Sequence, residues 1–404
     1  MSASLPDAAD LAGKIAGARW YGGKGAAISA VVELDRLDLA DGAALHVLEV
    51  SSPERPPERY LYLSGEERLA APLLAALRDG RTVGDWVFEP GVVLPGLLPG
   101  TVDQRPIGVD QSNTTIVISD RLALKLYRRL EPGPHPDIEI GRYLTESATV
   151  AFVPAYAGCI RWRDTAIGML QAYVPKAEEG WAWGSRAVLD GDVADIARLG
   201  ASTATLHAAL AQMASRPATA DEPERWRREA DAQLDRVLDL LGGDAGREIA
   251  GYAPRLREEF AAFTGVTPPL LTRVHGDYHI GQVLRSRDGL RVVDFEGEPT
   301  KTLAERAALG TPLRDVAAML RSFDHLARYV ERDLAPGSGA AIETWIRDAR
   351  EAFLEAYGEH DAMLLRALEV EKETYEFEYA ATFIPDWMYA PVGGMRWLMG
   401  VRAT

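Results

Sequence analysis

The spacing of apolar and polar positions divides the chain into two kinds of territory. Up to residue 174, apolar residues gather in short runs with strand character. Ile28 to Leu37 and Leu45 to Val50 read as strands, with Tyr60 to Leu63 a shorter one and Ser51-Ser52-Pro53 to Pro56-Pro57 a turn or loop. Glu66 to Arg78 has helical spacing, and the Pro- and Gly-rich stretch from Glu89 to Gly100 reads as a connection. Ile107 to Ile118 and Arg121 to Arg128 flank Ser119-Asp120, which predicts a hairpin. A Pro-Gly-Pro-His-Pro loop follows, then a helix over Asp137 to Leu144 and a strand pair, Phe152 to Trp162 and Thr165 to Tyr173.

After Pro175 the period changes. Asp192 to Ala214, Glu222 to Leu241, Ala253 to Phe263, Pro312 to Val330, Ala340 to Tyr357 and Asp361 to Phe383 all show helical spacing. Only Leu270 to Val274, Val283 to Arg285 and Leu290 to Phe295 look extended. The expected fold class is α+β, a β-rich lobe followed by a helical lobe that carries a short β insert.

Composition narrows the function. The chain has 404 residues, 47% of them hydrophobic and 26% charged, which excludes a disordered or fibrous protein. Lys plus Arg number 44 against 60 Asp plus Glu, a net charge of −16, which argues against a general nucleic-acid binder. One cysteine, Cys159, cannot form an internal disulfide. The start of the chain lacks a signal-peptide pattern and no apolar run is long enough to span a bilayer, so a soluble cytoplasmic protein is expected.

The most informative stretch is Val274-His275-Gly276-Asp277-Tyr278-His279-Ile280-Gly281-Gln282, followed by Val292-Val293-Asp294-Phe295-Glu296-Gly297-Glu298-Pro299. An acid sits in a Gly-containing turn, an amide follows five positions later, and a second acid ends an apolar strand seventeen positions on. Phosphoryl transfer needs a carboxylate to take the acceptor hydroxyl's proton, and oxygen ligands to hold Mg²⁺ on the nucleotide phosphates. Asp277 suits the first role, Gln282 and Asp294 the second. The plain alternative is two unrelated turns with solvated acids.

A cation must also meet the phosphates. Lys125 stands inside the apolar run Ala123-Leu124-Lys125-Leu126-Tyr127 and requires a counter-charge, for which Glu139 on the next helix is the candidate, with Asp137 and Glu146 as competitors. The preceding polar turn, Asp110-Gln111-Ser112-Asn113-Thr114-Thr115, offers N–H and hydroxyl groups to phosphate. Tyr21-Gly22-Gly23-Lys24-Gly25 looks like a phosphate loop but lacks the GK[ST] ending, and it reads as structural.

Together these residues resemble the aminoglycoside-phosphotransferase-like kinases, and more closely the actinobacterial maltokinases and glucosamine kinases. The resemblance rests on Arg19-Trp20-Tyr21-Gly22-Gly23-Lys24, Gln111-Ser112-Asn113-Thr114, His275-Gly276-Asp277 with Gly281-Gln282-Val283-Leu284, Asp294 to Pro299, and Pro312-Leu313-Arg314-Asp315-Val316 through Arg321-Ser322-Phe323-Asp324. It implies a protein-kinase-like bilobal fold: a cap subdomain over residues 1–100, a β-rich subdomain over 101–174 and a helical C-terminal lobe over 175–404. It implies ATP and Mg²⁺ as cofactors, with ATP between the last two parts and adenine on the backbone of Gln171, Ala172 and Tyr173. Carried over, Asp277 is the catalytic base, Gln282 and Asp294 are metal ligands, and Lys125 and Glu139 with Gln111 to Thr114 serve the nucleotide. Arg314 and Asp315 become a structural pair under the catalytic loop, and His207 packs in the core.

The acceptor site is expected at Asp277, His279, Glu296, Tyr375, Glu376, Tyr379 and Trp387. Sugar sites combine aromatic platforms with carboxylates, and Tyr375-Glu376-Phe377-Glu378-Tyr379 through Pro385-Asp386-Trp387 supplies both. The surplus carboxylates suit an ammonium-bearing sugar. The leading expectation is an ATP-dependent kinase making glucosamine 6-phosphate. A maltokinase making maltose 1-phosphate and a nucleotide-binding pseudokinase are the rivals, and the intact Lys125, Asp277, Gln282 and Asp294 speak against the last.

Overall fold

The computed structural model describes residues 5–23, 26–107, 113–265 and 269–400. The chain divides into two compact units, Met1–Lys176 with Lys301–Ala307, and Ala177–Thr300 with Ala308–Thr404.

The first unit opens with α1 (Ala8–Gly17), capped by the Asp7 carboxylate, which accepts from the Asp10 N–H at 2.9 Å. The meander β1 (Ala30–Asp38), β2 (Ala44–Ser52) and β3 (Arg55–Ser64) follows, then α2 (Ala70–Arg78), β4 (Thr82–Val83), β5 (Trp86–Pro90) and α3 (Leu94–Leu97). Next come β6 (Gln104–Ile107), β7 (Thr114–Ile118), β8 (Leu122–Leu126), β9 (Arg129–Leu130), α4 (Pro136–Glu146), β10 (Tyr156–Trp162) and β11 (Thr165–Ala172). Two antiparallel sheets result, one in the order β1-β2-β3-β9 and one in the order β4-β5-β10-β11-β8-β7-β6.

Alternation explains how β2 joins two cores. Leu45 and Val47 face the large core shared with α2 and the seven-stranded sheet, while Leu48 and Val50 face Leu11 and Ile15 of α1. The boundary expected at residue 100 does not separate these parts. β4 and β5 precede it yet belong to the same sheet as β6 to β8, and one core serves both sheets. The predicted hairpin forms with Ile118 opposite Leu122, and its turn has Ser119 and Asp120 at φ 49° and 50°, the left-handed backbone of a primed turn. Pro56 and Pro57, expected in a loop, lie in β3 beside a register shift between Val50 and Ser52, where the ladder does not need their missing N–H groups.

The second unit contains α5 (Gly180–Asp190), α6 (Ala194–Met213), β12 (Ser215–Pro217), α7 (Asp221–Leu240), α8 (Gly243–Gly265), β13 (Leu270–Thr272), β14 (Val283–Ser286) and β15 (Gly289–Val292). The short α9 (Leu303–Ala307) belongs to the first unit; α10 (Leu313–Tyr329), α11 (Gly339–Tyr357), α12 (Ala362–Phe383) and α13 (Tyr389–Leu398) complete the second. α10 runs through its core, burying Val316, Met319, Leu320, Phe323 and Leu326. α5 and α13 were not expected, because glycines weaken their helical signal. Packing overrides that weakness: a Cβ on Gly180 would overlap the Ile280 carbonyl oxygen, so the glycine lets α5 lie directly against the Asp277 turn. Among the described residues no helix is long and apolar enough to cross a membrane.

Candidate active site

The turn between β13 and β14 is built from its backbone outward. Gly276 takes φ +84°, and a Cβ there would meet the Gly297 Cα at 3.2 Å, so glycine is needed for both reasons. Asp315, in the first turn of α10, accepts from the N–H groups of His275 at 2.7 Å and Gly276 at 3.0 Å. His207 Nε2 lies 3.2 Å from the same carboxylate, and its Nδ1 lies 3.0 Å from the Tyr357 hydroxyl. His275 Nε2 donates to the Val293 carbonyl at 3.0 Å, tying the turn to the chain just before Asp294. Burial alone would raise the Asp315 carboxyl, but His207, His275 and the Gly276 N–H hold it below the ordinary aspartate value.

Two expectations change here. Arg314 does not pair with Asp315; it reaches Glu371 at 2.8 Å and lies over the Trp226 ring, because adjacent helical residues point about 100° apart. His207 is a hydrogen-bonded support of the turn, not packing alone. Asp315→Ala leaves two buried N–H groups and a histidine without their acceptor. It is expected to cost about 3–5 kcal/mol of stability in urea unfolding at neutral pH. Because the folded carboxyl is depressed, the contribution is present above the unfolded aspartate value and fades as pH falls through the folded one.

Asp277 and His279 emerge from this turn partly exposed, with Asp277 Oδ2 3.8 Å from His279 Nε2. The His279 Nδ1 accepts from the Gly281 N–H at 3.1 Å, so the neutral ring carries its proton on Nε2, toward Asp277. Burial pushes the imidazole down, and the nearby Arg321 and Lys372 add to that push against the pull of Asp277. Gln282 closes the short turn Ile280–Gln282 and donates from Nε2 to Asp294 Oδ2 at 3.0 Å. Asp294 holds φ +70°, an uncommon backbone for a residue with a Cβ. Carboxylate oxygens of Asp294 and Glu296 lie within 4.8 Å of one another. Two carboxylates and the remaining amide oxygen of Gln282 form the hard oxygen set that suits Mg²⁺.

The acceptor residues come from α12 and the segment after it. Tyr375 and Tyr379 stack at 6.1 Å, as their spacing predicted. The Tyr375 hydroxyl bonds Glu298, and Lys372 Nζ lies 4.2 Å from the Tyr375 ring centroid. Glu376 is 12% exposed, with Arg321 Nε at 3.4 Å and Lys372 Nζ at 3.3 Å. Burial would raise its carboxyl, but Arg321 and Lys372 hold it down at about 2. Glu378 turns away to Arg236, 3.1 Å distant. Trp387 stacks on Tyr329 at 5.8 Å and meets Trp181 edge-on at 5.7 Å.

In the first unit, Lys125 Nζ lies 3.0 Å from Asp137 Oδ2, which also accepts from the Tyr127 hydroxyl at 3.2 Å. A carboxylate that meets the lysine is therefore that of Asp137, two residues before the expected Glu139. Two residues apart on α4, the two acids lie about 200° apart around the axis, and Glu139 lines a cleft with Glu89, Arg142 and Arg161. Asn113 and Thr114 hold Arg128: the Asn113 side chain accepts its N–H at 3.3 Å and the Thr114 hydroxyl its Nε at 2.8 Å. Gln111 and Ser112, like Lys24 and Gly25, lie outside the described residues. Tyr21 is buried, and the Gly22 N–H donates to the Tyr60 hydroxyl at 3.2 Å, in keeping with a structural turn. The Ala172 and Tyr173 N–H groups already donate to the carbonyls of Ala155 and Arg121, at 2.8 and 2.9 Å. In the stretch Gln171 to Tyr173 these two donors are thus not available to adenine.

Residues 103–368 match the model of the phosphotransferase enzyme family. The chain belongs to this family. It is 30% identical over 399 residues to a glucosamine kinase of Mycolicibacterium smegmatis, covering 89% of this chain and 96% of that one. It is also 30% identical over 313 residues to a glucosamine kinase of Streptacidiphilus jiangxiensis, covering 71% and 72%. A solved glucosamine kinase in complex with glucosamine, ADP and inorganic phosphate superposes with a TM-score of 0.78 at 27% identity, over 93% of this chain and 95% of that one. A second crystal form of a glucosamine kinase gives 0.76 at 26% identity, over 96% and 99%. The phosphotransferase thus has the protein-kinase-like α+β fold of these enzymes.

Sequence reasoning passed over several residues of this phosphotransferase site. Trp181 lies in a Gly-Trp-Ala-Trp run whose glycines hid its helix, and its Nε1 approaches Gly281. Arg321 was quoted only as part of a motif, with no role given to it, and Lys372 was not singled out. Lys372 stands four residues before Glu376 on α12, a spacing that signals their pairing.

Proposed function

We propose that this phosphotransferase is an ATP-dependent glucosamine kinase that transfers the γ-phosphoryl group to the 6-hydroxyl of D-glucosamine. The observation that carries the reading is the locked turn of Asp277 with the Gln282–Asp294 pair 3.0 Å apart, in a chain that matches a glucosamine kinase over 89% of its length. A cytoplasmic setting goes with the need for ATP.

Asp277 takes the proton of the attacking hydroxyl through one carboxylate oxygen, while the proton on His279 Nε2 faces the other. Asp294 and the Gln282 amide oxygen would hold Mg²⁺, with the carboxylate of Glu296 within reach of Asp294's. When bound, that ion neutralises charge on the phosphate oxygens. Lys125, oriented by Asp137, engages the α- and β-phosphates.

The acids of the C-terminal run differ in what they offer an ammonium group. Glu376 is neutralised by Arg321 and Lys372, and Glu378 by Arg236. Asp386 is exposed, and among the described residues its carboxylate has no ion pair, so it is assigned to the amine beside the Trp387 platform. Glucosamine is expected to exceed glucose and N-acetylglucosamine in kcat/KM by about 10- to 100-fold, the worth of a charged hydrogen bond. Asp386→Asn is expected to narrow the gap with glucose. A coupled ADP-release assay across these sugars and maltose checks it. Equal use of glucose and glucosamine removes the amine assignment, and preference for maltose replaces the reading with a maltokinase.

A further inference from the structure

Arg321 stands largely covered beside the Asp277 turn, and its buried Nε has no hydrogen-bond partner. Its neighbour Ser322 holds the turn directly, accepting the Ile280 N–H at 3.0 Å. The Arg321 side chain is 12% exposed, and its one ion pair, Nε to Glu376 Oε1 at 3.4 Å, does not have the geometry of a hydrogen bond. Among the described residues, no nitrogen of this guanidinium has a hydrogen-bond partner in the protein. Arg328, further along the same unit's α10, is satisfied by contrast: it grips Asp324 with two bonds of 2.7 and 3.0 Å. Of the five donors of this guanidinium, the Nε–H is shut off from water without an acceptor, which is costly, and the terminal N–H groups make no hydrogen bond within the protein. Such a group in a well-packed unit marks a place where a ligand completes the structure.

The surroundings decide the ligand's chemistry. Lys372 Nζ lies 3.3 Å from the same Glu376 oxygen that Arg321 faces, so two cations flank one carboxylate. Their charge disfavours an ammonium group at this corner. The carboxylate between them is firmly ionised and disfavours a phosphate. Groups that both accept from a cation and donate to a carboxylate fit both partners, and vicinal hydroxyls of a sugar ring do this. The corner is close to the chemistry, since Arg321 and Lys372 act electrostatically on His279, which stands 3.8 Å from Asp277.

We infer that Arg321, together with Glu376 and Lys372, binds non-reacting ring hydroxyls of the acceptor sugar, the guanidinium donating to their oxygens and Glu376 accepting their protons. The inference rests on the sugar-kinase reading and adds a specificity determinant to its acceptor site. It separates the two tasks of recognition: hydroxyls are read by Arg321 and Glu376, the amine by Asp386.

The test is steady-state kinetics of the wild type, Arg321→Gln and Arg321→Lys with glucosamine, 3-deoxyglucosamine, 4-deoxyglucosamine and galactosamine, with melting temperatures recorded alongside. The wild type is expected to lose about tenfold or more in kcat/KM on at least one of these analogues. Arg321→Gln should raise KM for glucosamine about tenfold or more, leave KM for ATP unchanged, and no longer penalise that analogue. Arg321→Lys should fall between the two, and decides the matter if the Gln variant does not fold. Folded variants that keep wild-type discrimination, or a wild type indifferent to every analogue, overturn the inference while the kinase reading stands. A wild type that releases no ADP with glucosamine removes the parent reading.

Discussion

Asp277→Asn is expected to lower kcat by about 10²–10⁴-fold while Mg-ATP binding is retained. The asymmetry follows from what Asp277 touches. Its backbone belongs to the turn held by Asp315 and His275, so the amide variant inherits the same geometry. Its side chain lies beside His279, while Gln282 and Asp294 are bonded to each other. An amide cannot accept the hydroxyl proton. The measurement is kcat by ADP release together with calorimetric titration of Mg-ATP. Near-wild-type turnover would remove Asp277 from the base role, and loss of nucleotide binding would place it with the metal ligands.

Asp294→Asn is expected to fail differently. The substitution removes a direct anionic ligand from a hard cation and disturbs the Gln282 amide that donates to it at 3.0 Å. Metal-assisted charge stabilisation is worth several kcal/mol, so kcat/KM should fall by about 10³-fold or more. Nucleotide affinity should fall as well, and chiefly its Mg²⁺-dependent part. Calorimetry of ATP with and without Mg²⁺ distinguishes the outcomes. The wild type should bind more tightly with the metal and the variant should lose most of that difference. An unchanged metal dependence would show that the ligand lies elsewhere.

The turn proposed to carry the chemistry could be picked out in the sequence because its parts lie close together along the chain, from His275 to Asp294, and each residue type has a narrow chemical use. Lys125 was legible because a lysine within an apolar strand needs a partner. Its partner was not, and the reason recurs. Asp137 and Glu139, Arg314 and Asp315, and Glu376 and Glu378 are neighbours in sequence, but a helix sends each pair to different faces. Which face meets the site is decided by long-range packing, and composition is blind to it. The helices α5 and α13 were hidden for a related cause. Their glycines lower the local helical signal, and close approach to other elements justifies those glycines only in the folded chain. Arg321 stood inside a quoted motif, but the fact that none of its nitrogens has a hydrogen-bond partner appears only in three dimensions.

The most direct test of the central claim is to identify the product. The protein is incubated with Mg-ATP and D-glucosamine, and phosphorus and proton NMR follow the mixture. The account predicts ADP and glucosamine 6-phosphate in equal amounts, with the phosphorus coupled to the protons on C6, and no such product from Asp277→Asn. Absence of phosphorylated glucosamine, or formation of maltose 1-phosphate from maltose in its place, would contradict it.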